Sequence, residues 1–92
     1  MPNRTTAQIV ADMLHAASES GNGGIGPTRL AKRANVPHPR LQSLTKTLVG
    51  AGLIVRVEAG ARHTFAITPK GRHYLEIHVQ YHSMAESFGL EL

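Results

Sequence analysis

The stretch from Asn35 to Ile54 constrains the fold of this chain more than any other. Pro39 disfavours a helical conformation at the residue before it, so a helix is expected to begin at Pro39, with His38 or Pro37 as its entry residue. Neither entry residue is a good N-cap, and Gly50-Ala51-Gly52 is expected to end the helix. Four apolar residues recur at helical spacing and predict a buried face: Val36, Leu41, Leu44 and Leu48.

The opposite face of this helix carries cations, hydroxyl groups and an amide, but no acid. On a wheel of 3.6 residues per turn its members are Arg40, Gln42, Ser43, Lys46 and Thr47. An ordinary solvated face mixes charges of both signs. A face without acids suits a polyanion that also presents hydrogen-bonding base edges, which predicts contact with nucleic acid.

A short basic helix is predicted before the turn. Pro27 suits its first turn, where the missing N–H would be unpaired anyway, and Asn35 suits a left-handed stop. Its inward residues are Leu30, Ala31 and Ala34, and its outward residues are Arg29, Lys32 and Arg33. Two helices joined by a tight turn form a helix-turn-helix motif.

A two-stranded hairpin, or wing, is predicted directly after this motif. Apolar and polar residues alternate from Leu53 to Glu58, and residues 64–68 form a second β-prone run. Residues 59–63, between the two runs, are expected to form a basic loop at the tip, with Gly60 as the turn residue. Ile25, an isolated apolar residue after the Gly-rich loop at 21–24, is a candidate short strand that pairs with the hairpin.

Helices are also predicted at both ends of the chain. Thr5 and Gln8 fit a capping box for the first helix, which should stop near Ser20. Its apolar face consists of Ile9, Val10, Met13, Leu14 and Ala17. The last helix should begin at Thr68-Pro69, an N-cap followed by proline, and run to about Ser87.

The last helix has a different apolar pattern from the other three. Five large side chains are spaced 3, 4, 3 and 4 residues apart, as in a coiled-coil seam: Tyr74, Ile77, Tyr81, Met84 and Phe88. Leu75 lies off the seam and is expected to anchor the helix to its own core. The seam predicts a homodimer through this helix; the alternative is a helix packed wholly on its own domain.

The charge of the chain is concentrated in its middle. Nine of the ten Lys and Arg residues lie between Gly26 and Arg72, opposed there only by Glu58, so this segment carries +8 within a net charge of +4. Such asymmetry favours a nucleic-acid partner over general stickiness. The 92 residues suffice for one small core. No cysteine is present, which excludes disulfides and thiolate metal sites, and no segment approaches membrane-spanning length. We therefore expect a cytoplasmic protein.

These segments together resemble archaeal winged-helix DNA-binding proteins, including small chromatin-associated and regulator-like members. The matching pieces are Gly23-Gly24-Ile25, Thr28-Arg29-Leu30, Ala34-Asn35-Val36, Leu41, Leu44, Leu48, Gly52-Leu53-Ile54 and Thr68-Pro69-Lys70-Gly71. The chain departs from the family at Pro37-His38-Pro39, where a Ser or Thr cap is usual, and in a shorter last helix.

The resemblance implies an α+β winged helix-turn-helix domain at residues 5–68 and an extended C-terminal dimerisation helix at 69–88. It implies a homodimer on double-stranded DNA, acting in transcription regulation or as a nucleoid-associated protein. The recognition helix would lie in the major groove. Phosphate or minor-groove contacts are expected from four further residues: Thr28 and Arg29 at the start of the second helix, and Arg56 and Arg62 in the wing.

Two other functions remain open on the sequence alone. The basic face could bind an acidic protein instead of DNA, making the chain a protein-interaction module. His78 and His82, four residues apart on the last helix, could mark a ligand- or metal-sensing regulator. No third metal ligand is clearly placed and the carboxylates lie on separate elements, so we expect no cofactor, no metal site and no enzymatic activity.

Overall fold

The computed structural model describes residues 4–90 and contains four helices and one antiparallel pair of strands. The elements, in chain order, are α1 (Thr6–Glu19), α2 (Pro27–Ala34), α3 (His38–Gly50), β1 (Ile54–Ala59), β2 (Arg62–Ile67) and α4 (Pro69–Ser87). The predicted α+β architecture is confirmed. Within residues 4–90, no helix combines the length and the apolar character needed to cross a membrane.

Both predicted threonine N-caps are present. The Thr5 hydroxyl accepts the backbone N–H of Gln8 at 3.1 Å, and the Thr68 hydroxyl accepts that of Gly71 at 3.0 Å. The reciprocal half of the capping box at α1 was predicted wrongly. The Gln8 side chain donates to Asp12 Oδ1 at 3.2 Å, one turn ahead, and this pairing directs its amide away from the N–H of the cap.

The turn between α2 and α3 has the predicted left-handed residue, Asn35, with φ of 54°. The helix α3 begins at His38, one residue before the predicted Pro39, and Pro37 is an N-cap without a side-chain hydrogen bond. Pro39 is tolerated at the second helical position because the N–H groups of a first turn have no intrahelical acceptor. The start of α3 is therefore uncapped by side chains, as expected.

The wing, which we define as β1, β2 and their turn, is longer than predicted. The strands pair from Ile54 opposite Ile67 to Ala59 opposite Arg62. A two-residue turn suffices because Gly60 has a positive φ of 66°. Arg62 was therefore wrongly assigned to a loop; it lies in β2. Ile25 pairs with Phe65 through two backbone hydrogen bonds of 2.8 and 2.9 Å, which confirms its predicted strand contact.

One hydrophobic core joins the three N-terminal helices to the wing and to one side of α4. Its most completely buried large side chains are Met13, Leu14, Leu30 and Leu41. Leu75 packs against this core, as predicted. Thr45 was not predicted to be inside, yet it is 6% exposed; its hydroxyl donates to the Gln42 carbonyl oxygen at 3.0 Å, which satisfies the buried polar group.

Arg4 links α1 to the end of α2. Its guanidinium donates to Asp12 Oδ2 at 2.7 Å and to the Ala34 carbonyl oxygen at 2.6 Å, and it also reaches the Asn35 carbonyl oxygen. These carbonyls belong to a helix C-terminus, where a cation is favoured. These hydrogen bonds of Arg4 fix the C-terminal end of α2, which leads into the turn before α3.

Candidate nucleic-acid interface

The α3 residues predicted to face a polyanion are all exposed to solvent. They are Arg40, Gln42, Ser43, Lys46 and Thr47. Leu41, Thr45 and Leu48 turn the other side of α3 into the core. The helix is thus held by one face while its acid-free face remains open.

A cleft of about 760 Å³ separates α3 from the wing. Leu41 and Phe65 supply apolar lining, and Gln42 and Ser43 contribute from the exposed side of α3. The charged or titratable residues that line it are all basic: His38, Lys46, Arg56 and His63. We call it the α3–wing cleft. Its size, polarity and charge suit the sugar–phosphate backbone of a nucleic acid running between helix and hairpin.

The two arginines predicted to contact DNA from the wing lie on opposite faces of the hairpin. Arg56 is opposite Phe65 and therefore shares its face, which is turned towards α3. Arg62 is opposite Ala59 and has the other parity along the strand. Arg56 is thus a cleft residue, whereas Arg62 is at the far end of the wing on its outer face.

Two cations of the basic middle segment are already paired. Arg56 Nε lies 2.7 Å from Glu58 Oε1, and Arg33 Nη2 lies 2.6 Å from Glu19 Oε1. The remaining predicted cations form no salt bridge to another residue of 4–90: Arg29, Arg40, Lys46 and Arg62. Thr28 and Arg29 are exposed at the start of α2, next to the cleft residue Pro27.

Sequence reasoning missed His38 and His63 as residues of this surface. His63 had been placed in a loop, but in β2 it lies opposite Glu58 and on the cleft face. Because side chains alternate between the two faces of a strand, the register of the hairpin is enough to place His63 on the cleft face. His38 reaches the cleft because α3 starts one residue earlier than predicted.

The predicted seam on α4 divides into two parts. Ile77, Tyr81, Met84 and Phe88 are between 51% and 74% exposed. Tyr74 is half-buried and packs against the core of its own chain. The four exposed side chains form an apolar strip along α4, which we call the α4 strip.

A second groove of about 410 Å³ lies between α1 and α4, near the pair of histidines singled out from the sequence. The rings of His78 and His82 are stacked with centroids 6.2 Å apart. Asp12 and His15 line the same groove from α1. Their proximity to the α4 histidines could not be predicted from the spacing of residues within α4. Within residues 4–90, no three potential ligands are arranged to hold a metal ion.

The comparison with protein families decides the classification of the chain. A winged helix-turn-helix family model matches residues 3–86. The chain belongs to this winged helix-turn-helix family. No curated protein sequence matches it significantly.

Solved structures with the same winged-helix fold include archaeal and bacterial DNA-binding proteins. Sso10a-2, a DNA-binding protein from Sulfolobus solfataricus, superposes with a TM-score of 0.81 at 22% identity over 92% of this chain and 85% of that chain. The transcriptional repressor CouR, bound to a 23-mer DNA duplex, gives 0.70 at 25% identity over 88% and 56%. MepR from Staphylococcus aureus, a transcription regulator of the multidrug efflux pump MepA, gives 0.74 at 18% identity over 94% and 63%.

The winged-helix chain thus spans most of the archaeal protein but less than two thirds of either regulator. The resemblance to winged-helix DNA-binding proteins, stated from the sequence motifs, is confirmed.

Proposed function

We propose that this winged-helix protein binds double-stranded DNA as a homodimer and acts in transcription regulation or nucleoid organisation. In this proposal α3 enters the major groove, and the wing contacts the adjacent backbone or minor groove. The chain is a binding protein and performs no catalysis. It binds chromosomal DNA in the cytoplasm as a nucleoid-associated protein.

The observation that carries the proposal is the acid-free exposed face of α3 beside a basic cleft. Arg40 and Lys46 have no salt bridge to another described residue, so they are available to phosphates or guanine. Gln42 can donate to and accept from adenine with one amide group. Thr28 and Arg29 extend the surface to the start of α2, and the wing extends it on the other side.

Support also comes from the structural relatives. One is a DNA-binding protein, and another is bound to a 23-mer DNA duplex. Their fold supports the docking of this chain on DNA through α3 and the wing. It does not supply the roles of individual residues, which rest on the exposure and charge described above.

The homodimer is proposed on the basis of the α4 strip. Four large apolar side chains at a coiled-coil spacing make an exposed stripe, and soluble monomers rarely leave such a contiguous patch uncovered. Residues 69–88 would pair with the same helix of a second copy, with Tyr74 at the edge of the contact. A two-fold dimer presents two α3 helices, so a specific site would be a pseudo-palindrome.

Salt-dependent binding to a short duplex tests the proposal. Lys46→Ala should lower the slope of log K against log salt by about 0.9 per copy and weaken all sequences alike. Arg33→Ala is the matched control, because Arg33 does not line the α3–wing cleft and is paired with Glu19, and it should change the slope less. Arg62→Ala tests the phosphate contact of the wing by the same measurement of the salt slope.

Base reading is tested separately. On a specific site Gln42→Ala should cost about 1–3 kcal/mol at one base pair, with an unchanged salt slope. An equal loss on every duplex would reject base reading by Gln42 while leaving DNA binding intact. A wild-type protein that fails to bind any duplex at low salt would refute the DNA proposal and favour an acidic protein partner.

A further inference from the structure

Two histidines of different elements line the α3–wing cleft. His38 is the first residue of α3, and His63 lies in β2 on the face turned towards α3. His63 is half-buried, and its ring meets Phe65 edge-on, with centroids 5.4 Å apart and planes at 82°. This contact orients the ring of His63 within the cleft.

Within residues 4–90 neither cleft histidine has an anionic partner, unlike His15 and His82. His15 lies 3.7 Å from Glu19, and His82 lies 3.4 Å from Glu86, each one helical turn away. Among residues 4–90, no carboxylate lies within ion-pairing distance of His38 or His63. Glu58 is the cross-strand neighbour of His63, but its carboxylate is bonded to Arg56. No carboxylate of residues 4–90 is therefore paired with the cleft histidines, and an anionic ligand can take that place.

The charged residues that line the cleft have one sign, and Glu58, the acid on the same face of the wing, is bonded to Arg56. Lys46 extends from α3 and Arg56 from β1, and the start of α3 carries the positive end of a helix dipole. All three attract a phosphodiester. An imidazole beside that phosphodiester would meet an opposite charge within a few ångströms, and this favours the charged ring.

We propose that His38 and His63 are phosphate-binding residues of the α3–wing cleft and that they take up protons when a DNA backbone enters it. The proposal rests on the DNA-binding function proposed above. Affinity for duplex DNA then rises as the pH falls from 8 to 6, because an imidazole ordinarily titrates near pH ~6.5 and the protein–DNA complex holds the proton more tightly than the free protein.

The test measures duplex binding at constant low ionic strength from pH 6 to pH 8. If the DNA complex favours the charged form of one ring tenfold over its neutral form, the affinity for duplex rises about tenfold when that ring goes from neutral to charged. The double variant carrying His38→Gln and His63→Gln has polar side chains that cannot take up a proton, so it should still bind duplex at pH 8 but lose the gain at pH 6. His15→Gln, outside the cleft, should keep the full gain.

Calorimetry on the wild-type protein keeps the test independent of how the variants fold. At pH 7, the observed binding enthalpy in buffers of different ionisation enthalpy gives the number of protons taken up. The proposal expects uptake of up to about one proton per cleft histidine, reduced by whatever fraction is already charged. Binding without proton uptake, or a pH response that survives in the double variant, overturns it while DNA binding stands. Absence of binding at every pH refutes the DNA function itself.

Discussion

Arg56 shows how a single side chain can be shared between the fold and a ligand. Its guanidinium is bonded to Glu58 two residues along the same strand, and both side chains are more than half exposed. An exposed ion pair of this kind contributes at most about 1 kcal/mol, so it is easily exchanged. A phosphate in the α3–wing cleft would compete with Glu58 for the same guanidinium.

Removal of that carboxylate is therefore expected to strengthen DNA binding. Glu58→Gln frees Arg56 and removes a negative charge near the backbone. The affinity for duplex at low salt should rise severalfold, and the salt slope should steepen by about 0.9 per copy if Arg56 gains a phosphate. Glu76→Gln is the control, because it deletes an exposed acid on α4 that does not line the α3–wing cleft. Equal effects of the two changes would show a general charge effect instead of release of Arg56.

At the scale of elements, the entry of α4 depends on a close approach to the segment before the wing. A Cβ added at Gly71 would lie 2.1 Å from the Leu53 carbonyl oxygen and 2.8 Å from Ile67 Cγ1. Any larger residue must push the helix away from both. Thr68, capping the same turn, adds a second constraint on where α4 begins.

The substitution Gly71→Ala should lower the free energy of unfolding by roughly 1–3 kcal/mol, the usual cost of overpacking. Gly50→Ala is the matched control: its Cβ would meet nothing within 4 Å, and a helical alanine is favoured over glycine by roughly 0.5–1 kcal/mol. Urea denaturation of both variants checks the signs. A Gly71→Ala protein as stable as wild type would mean that α4 can shift without loss.

At the scale of the whole molecule, the α4 strip is the surface most in need of a partner. One side of α4 packs against its own domain through Leu75, Gly71 and Ala85, and a neighbouring side exposes the strip. The same helix can therefore pack against its core and pair with a second copy. This division places the proposed dimer contact and the proposed DNA surface on different elements.

Dimer formation is predicted to depend on the middle of that strip. Tyr81→Lys introduces a charge where a large side chain would contribute roughly 1.5–3 kcal/mol on burial, so it should shift the protein towards monomer. Gln80→Lys adds the same charge next to the strip and should leave the dimer intact. Light scattering at micromolar concentration distinguishes the species. A wild-type protein that is already monomeric would contradict the prediction.

The patterns read from the sequence predicted most elements correctly because their causes are local. Threonine caps, proline in a first turn, a left-handed Asn35 and apolar periodicity act over a few residues. They placed all four helices, the wing and the exposed face of α3. The errors were also local in origin: Gln8 donates to Asp12, Pro39 is tolerated one residue inside α3, and Gly60 allows a two-residue turn that lengthens β2.

Contacts between distant segments required the folded chain. Arg4 meets the end of α2 thirty residues away, and His38 and His63 line the same cleft, because helix packing and strand register bring these segments together. The pairing of Arg56 with Glu58 and the inward position of Tyr74 likewise depend on which face each element buries. Sequence spacing specifies the faces of one helix or strand; the distances between faces follow from how the common core packs.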